Sequence, residues 1–424
     1  MVTSYKNVIM QPLFPKRLRY SDTDLLMRAL AAGPGGVGMC HLLITGPAED
    51  LDRQLARSES QQLLSWLSCV RSRCHSPCNS SAVTASTGKN SDPVIIMGPL
   101  EMLNPENVHA STEPFSYSRV KNPTNQHGLL LSWSHTLLDA HAGELVARYL
   151  LAYDHNIRIF AAPGNARKTS LWRAVAATRR YGKIIKNLVS GGFDTVTASA
   201  VPTCTRSHIQ FSVQESEQIL KLLQELSLDG FASSYFIAAS AEALVRTLPR
   251  MLKLIVATPH DARKKGAYRY ISPNQLSLVF FKIAVGTNKS VGEQTADILS
   301  QFAAFVRSGA HQAFTDFLAI GRYLPCWVYS KLLYSVNPSG FCSMYVSYLG
   351  KGTMTQDSAA QNSGLPTFSL HHFPPHFAKP GISVVFWWSV QRLNVSLVLG
   401  DKTLNLAQRK QFEGTLRELI LHGW

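Results

Sequence analysis

A histidine and an aspartate four residues apart, His135 and Asp139, are the residues whose types and spacing best suit chemistry. Neutral imidazole titrates near pH 6.5, so it can take up a proton close to working pH, and a positioned base of this kind contributes about 10²- to 10⁴-fold. If Thr136-Leu137-Leu138 makes a tight turn, the Asp139 carboxylate returns toward the loop or meets a cation, which fixes the ring's orientation. The competing reading is a structural histidine, as most of the 14 in the chain must be.

The elements that must hold this pair are legible on either side of it. Leu129 to Trp133 is an apolar run with the length and bulk of a buried strand, and Ala142 to Leu150 carries apolar residues at helical spacing. His135 therefore falls in a strand-to-helix connection, where a rigid scaffold can present a side chain to a cleft.

Composition limits the rest. A chain of 424 residues, 45% hydrophobic and 16% charged, can bury a large core and exceeds one ordinary domain. No apolar stretch reaches the length of about 18 residues needed to span a bilayer, and the amino terminus lacks a secretory h-region, so a cytoplasmic protein is expected. The seven cysteines, an odd and scattered set, do not describe a disulfide framework. Cys69, Cys74, His75 and Cys78 are soft ligands in one short segment, but their spacing matches no standard zinc site, and no metal is expected. The net charge of +15 calls for an anionic partner. No nucleic-acid-binding signature is present, whereas phosphate-bearing acyl carriers or an anionic membrane surface fit the charge.

Taken in order, Ser21 and Asp22 cap a helix through residue 31, Val37–Thr45 reads as a strand, Asp50–Trp66 contains a helix, and Pro93–Met97 is a strand. Residues 105–125 read as a loop leading to the central stretch. Residues 166–192 hold seven basic residues and no acidic one, interleaved with apolar positions. Such a helix either lies on an anionic membrane with its apolar side inserted or packs that side on the protein body. Residues 191–206, rich in Gly, Ser and Thr, read as a linker between an N-terminal unit (1–190) and a C-terminal unit (207–424). The second unit opens with a strand at 208–213 and helices at 216–226 and 232–247. Strands follow at 253–258 and 273–283, a helix at 290–308, a strand at 341–349, a hairpin turning at Gln391-Arg392-Leu393, and a terminal helix at 404–422.

The ordered landmarks Ser21-Asp22 to Leu25, Val70-Arg71-Ser72-Arg73, His135 to Asp139 with Gly143, Pro259 to Arg263, Asn274-Gln275-Leu276-Ser277 and Val346 to Gly350 carry a resemblance. Together with the final hairpin and helix, they resemble the chloramphenicol acetyltransferase-like superfamily, which includes condensation domains and wax ester synthase/diacylglycerol acyltransferases. The resemblance implies a mixed α/β fold of two related subdomains in a V-shaped arrangement, with a central tunnel for an acyl thioester and an acceptor. It implies an acyltransferase with His135 as general base, Asp139 paired with Arg71, and Asn274 and Ser347 supporting the site. No cofactor would be permanently bound; acyl-CoA or an acyl-carrier thioester would be the co-substrate. The acceptor would be a small molecule or lipid, and a monomer is expected.

Where many relatives have HHxxxDG, this chain has Ser134 for the first histidine and Ala140 for the glycine. A left-handed backbone at Ala140 would cost about 1 kcal/mol or more. These departures motivate the alternative, a catalytically inactive protein that binds a ligand or carrier in the same cleft.

Overall fold

The computed structural model describes residues 21–31, 38–69, 115–151, 169–190, 204–228, 230–251, 253–261, 276–284, 289–336, 342–351, 368–377, 380–389, 391–400 and 403–423. It also describes short pieces at 93–97, 158–159, 192–194 and 270–271 and single residues including Arg263 and Asn274.

In chain order the first elements are α1 (Asp22–Ala31), β1 (Met39–Gly46), α2 (Ala48–Leu55), α3 (Ser58–Cys69), β2 (Val94–Ile95), β3 (Phe115–Lys121), β4 (His127–Ser134), α4 (Ala140–Leu150), β5 (Arg158–Ile159) and α5 (Leu171–Val189). They are followed by β6 (Cys204–Gln210), α6 (Val213–Glu225), α7 (Ala232–Thr247), β7 (Lys253–Asp261), β8 (Tyr270–Ile271), β9 (Leu276–Ala284), α8 (Val291–Arg307), α9 (Ala310–Leu318) and α10 (Cys326–Val336). The chain closes with β10 (Met344–Lys351), β11 (Ser369–Phe373), β12 (Ile382–Ser389), β13 (Arg392–Gly400) and α11 (Leu406–His422).

Two open mixed sheets organise these elements. The first has the order β11-β1-β4-β3-β2, antiparallel except for the β2–β3 pair. One of its faces buries Leu42, Ile44, Leu129, Leu131 and Trp133 beneath α2, α3 and α4, and the other buries Leu43, Leu130 and Phe373. Covering on both faces explains why β4 reads as a continuous apolar run rather than an alternating one. The second sheet, β6-β13-β12-β10-β7-β9, has parallel pairs on both sides of β10. Met344, Val346, Val384, Phe386 and Val395 pack there against α7, α8 and α11.

Among the described residues, contacts of several kinds join the two halves of the chain. β11, from the second half of the chain, extends the first sheet by pairing with β1. The short parallel pair β5–β8 crosses between the halves. A helical layer brings Leu26 and Ala29 of α1 and Tyr181 of α5 together with Phe314, Leu318, Tyr329 and Leu333 of α9 and α10.

Several boundaries differ from the expected ones. Phe115–Lys121 is a strand, not loop, because every one of its residues pairs with β4 along an antiparallel ladder. Cys204–Arg206 belong to β6 rather than to the linker, held by pairing with β13. Residues 48–69 form two helices broken at Ala56-Arg57, and in the final hairpin Gln391, with φ 64°, lies just before β13. β7 runs on through Pro259-His260-Asp261. The helices α9 and α10 have no counterpart among the sequence expectations.

Of the soft-ligand cluster, only Cys69, the last residue of α3, is described; Cys74, His75 and Cys78 lie outside the described residues. Among the described residues, no group of three or more His, Cys, Asp and Glu side chains could hold a metal ion, and no helix is long and apolar enough to cross a membrane.

Candidate active site

The loop carrying His135 is built by hydrogen bonds that its own sequence supplies. β4 ends at Ser134, whose Oγ lies 2.7 Å from Thr136 Oγ1 and accepts a hydrogen bond from the Thr136 amide. The Leu137 amide donates to the Ser134 carbonyl, which closes the turn. Ser134, in place of a first histidine, is thus a turn residue satisfied locally. Trp133 Nε1 donates to the Leu138 carbonyl at 3.0 Å, which ties the far side of the turn to the strand.

Asp139 then starts the helix. It is the N-cap of α4, extended at φ −87° and ψ 177°, and its Oδ1 accepts from the Ala142 amide at 2.9 Å. Ala140 is the first residue of α4 and is absent from the set of non-glycine residues with positive φ. The left-handed backbone that would strain an alanine does not occur here, so this departure from the motif carries no conformational penalty.

Gly143 is required for a different reason. A Cβ on it would lie 2.4 Å from Cζ2 and Cη2 of Trp133, so the helix packs flat on that indole. Gly143→Ala is expected to destabilise the protein by about 1–3 kcal/mol, the usual cost of overpacking a filled core, and to displace the first turn of α4. Thermal unfolding would show it; a variant as stable as the parent would contradict the packing argument.

The second half of the chain grips this loop at two points. Arg263 Nη2 donates to both oxygens of Asp139 at 2.7 and 2.9 Å, and Nη1 reaches Asp261 at 3.2 Å. The Arg263 and Asp139 side chains are 0% and 1% exposed. The partner described for Asp139 is therefore Arg263; Arg71, the expected partner, lies outside the described residues. Asn274 makes the second contact, its Nδ2 donating to the His135 carbonyl and, at 2.6 Å, to Asp24 Oδ1. Both amide protons are used in this way, so Asn274 fixes the crossing of the loop with the second half rather than pointing a donor at substrate.

Asp24 completes the bracket. It sits in the first turn of α1, where its Oδ2 accepts from the Ser21 amide at 2.6 Å while the Asp24 amide donates to Ser21 Oγ at 3.0 Å. Burial pushes its carboxyl up to about 8, against the pull of hydrogen bonds from Ser21 and Asn274.

His135 itself is partly exposed, with Nδ1 buried and without a hydrogen bond to another residue among the described ones. Burial lowers its pKa; a hydrogen bond to its own backbone, the Asp139 charge and the nearby Asn274 side chain oppose the shift. The result is an imidazole biased toward its neutral, proton-accepting form.

Ser347 lies on β10, paired across to Val385 and partly exposed. The described hydrogen bonds unite His135, Asp139 and Asn274 with Arg263 and Asp24; they do not join Ser347 to this group. Arg263 and Asp24 escaped the sequence reading, although both stand in quoted landmarks. Asp24 also follows Ser21 at the spacing of a capping box, a readable signal.

Two histidines of β11, His371 and His372, lie at the seam of the two sheets. His372 Nε2 lies 2.8 Å from Glu144 Oε1, and both are buried. His371 meets His208 edge-on, and burial together with His372 lowers its pKa to about 4. Trp387, stacked on His208, donates from Nε1 to the Leu370 carbonyl, and Arg206 Nη1 to the Pro374 carbonyl. These residues join β11 to the second sheet.

No family model and no curated protein sequence matches the chain. Solved structures do. The first condensation domain of the calcium-dependent antibiotic synthetase, in complex with a substrate analogue, superposes with a TM-score of 0.64 at 13% identity, covering 96% of this chain and 97% of that one. Trichothecene 15-O-acetyltransferase from Fusarium sporotrichioides gives 0.61 at 11% identity, over 96% and 95% of the two chains. A variant of the starter condensation domain of rhizomide synthetase, in complex with C8-CoA and Leu-SNAC, gives 0.57 at 11% identity, over 96% and 95%. The two mixed sheets, bridged at the His135 loop, thus have the fold of these condensation domains and of this acetyltransferase.

Proposed function

We propose that the protein transfers an acyl group from a thioester donor, acyl-CoA or an acyl-carrier thioester, to a hydroxyl or amine acceptor, with His135 as general base. The acceptor proton passes to the imidazole as the acceptor's lone pair attacks the thioester carbonyl carbon. Collapse of the tetrahedral intermediate breaks the carbon–sulfur bond, and the thiolate recovers that proton. Ser347 is the proposed donor to the developing oxyanion; such donors commonly contribute about 3 kcal/mol.

The observation that carries this reading is the fixation of the His135 loop from both halves of the chain, through Asp139–Arg263 and Asn274, around a ring whose burial keeps it neutral. The ordinary backbone of Ala140 removes the main argument for a decayed site. The fold's occurrence in a domain solved with C8-CoA and in an acetyltransferase supports thioester chemistry here.

The test is thiol release from a panel of acyl-CoA donors with hydroxylamine as acceptor. Because the ring's pKa is lowered, the neutral base persists below pH 6.5, so kcat/KM is expected to fall only on an acid limb with an apparent pKa below 6.5. A limb above that value, or release that does not depend on His135, would overturn the mechanism.

A further inference from the structure

Helix α5 gives its apolar side to the protein. Ala174, Ala177 and Tyr181 are buried, and Tyr181 stacks on Phe317 and leans on Phe314 of α9. Arg173 is paired inward with Asp316 at 3.0 Å. The reading in which that apolar side inserts into a membrane is therefore excluded, and what remains for a partner is the opposite side.

That side has an unusual make-up. Trp172, Ala176, Arg179, Lys183 and Lys186 recur at helical spacing and are all exposed, with Arg180 beside them. Trp172 is 81% exposed at the amino-terminal end of the stripe, next to an exposed Leu171. Tyr323, itself exposed, donates from its hydroxyl to the Thr169 carbonyl and so connects this end to the start of α10. There Trp327 is 61% exposed, with Lys331 Nζ 5.3 Å from its ring centroid. The two acids that pair into this region, Asp22 and Asp316, are turned inward onto Arg322 and Arg173. Large apolar rings left in water beside a row of cations that has no acidic partner among the described residues match the composition of an interfacial anchor: the rings settle at headgroup depth and the cations meet anionic headgroups.

We propose that the solvent side of α5, with Trp327 and Lys331 at the start of α10, docks the protein on an anionic lipid bilayer. The helix adheres through its cations, and Trp172 and Trp327 wedge into the headgroup layer without either helix leaving the protein body. Attraction of this kind is screened by salt.

The experiment is sedimentation of the full chain with equimolar phosphatidylcholine–phosphatidylglycerol vesicles and with pure phosphatidylcholine vesicles. Binding is expected only to the anionic vesicles and is expected to weaken as salt rises. Arg179→Gln, Lys183→Gln and Lys186→Gln together should weaken it about a hundredfold, each cation near such a surface contributing a factor of about five. Trp172→Ala with Trp327→Ala should weaken it about tenfold. All five positions are exposed, and an unchanged circular dichroism melt verifies folding. Failure to bind anionic vesicles, or equal binding by the glutamine variant, would overturn the proposal. So would capture of an acidic acyl carrier protein, lost in the same variant, without vesicle binding, since that would make the surface a protein-docking site.

Discussion

His135→Ala is expected to lower kcat for thiol release from the preferred acyl-CoA by about 10²- to 10⁴-fold, the range a positioned general base supplies. The melting temperature should hardly move. The described loop is held by the His135 carbonyl, by Asp139 and by Trp133, and none of these contacts uses the imidazole. That separation makes the experiment decisive, because lost activity in a stable protein points to the ring itself. Thiol release unchanged in the variant would sink the base, whereas no release above the uncatalysed rate in the parent would favour a protein that only binds in the same cleft.

Arg263→Met should have the largest effect on stability. Arg263 and Asp139 are buried together, and removing one partner leaves an uncompensated charge, at about 3–5 kcal/mol for such pairs. Asp139 also caps α4, so its displacement would carry the helix start and the His135 turn with it, and activity should fall alongside stability. Arg263→Lys should rescue only part of the loss, because one ammonium cannot reproduce the contacts of Nη2 to both Asp139 oxygens and of Nη1 to Asp261. Arg263→Met combined with Asp139→Asn should be more stable than Arg263→Met alone, since no charge is then stranded. Urea unfolding of the four proteins reads all of this; a single Arg263→Met variant within about 1 kcal/mol of the parent would contradict the pairing.

How much of this was legible can be argued residue by residue. β4 and α4 were readable because the apolar run and the helical spacing that follows are local signals, and both sheet faces around β4 are covered. β3 and the first residues of β6 were not, because polar strands owe their form to ladders with β4 and β13 rather than to their own composition. The two readings of α5 stayed open for a related reason. Periodicity shows that a helix has two sides but not which one the protein claims, and here α9 claims the apolar one. At the site, the sequence indicated His135 and Asp139, whereas the pairing of Asp139 with Arg263 and of Asn274 with Asp24 depends on contacts across the chain that no local spacing encodes. Ala140 shows the opposite error: a motif position suggested strain, and the backbone places the alanine harmlessly at a helix start.

The position of β11 has a consequence for biosynthesis. His41 to Thr45 pair with Phe373 to Ser369, so one edge of the first sheet stays unfinished until residues 369–373 have left the ribosome. Until then β1 offers unpaired amide and carbonyl groups beside apolar side chains, a template for non-native strand addition. The closure that ends this exposure joins segments far apart in the chain, the kind of contact that forms late and slowly. The first sheet is therefore completed only when a segment far along the chain reaches β1, and its durability as a finished sheet rests on that distant strand.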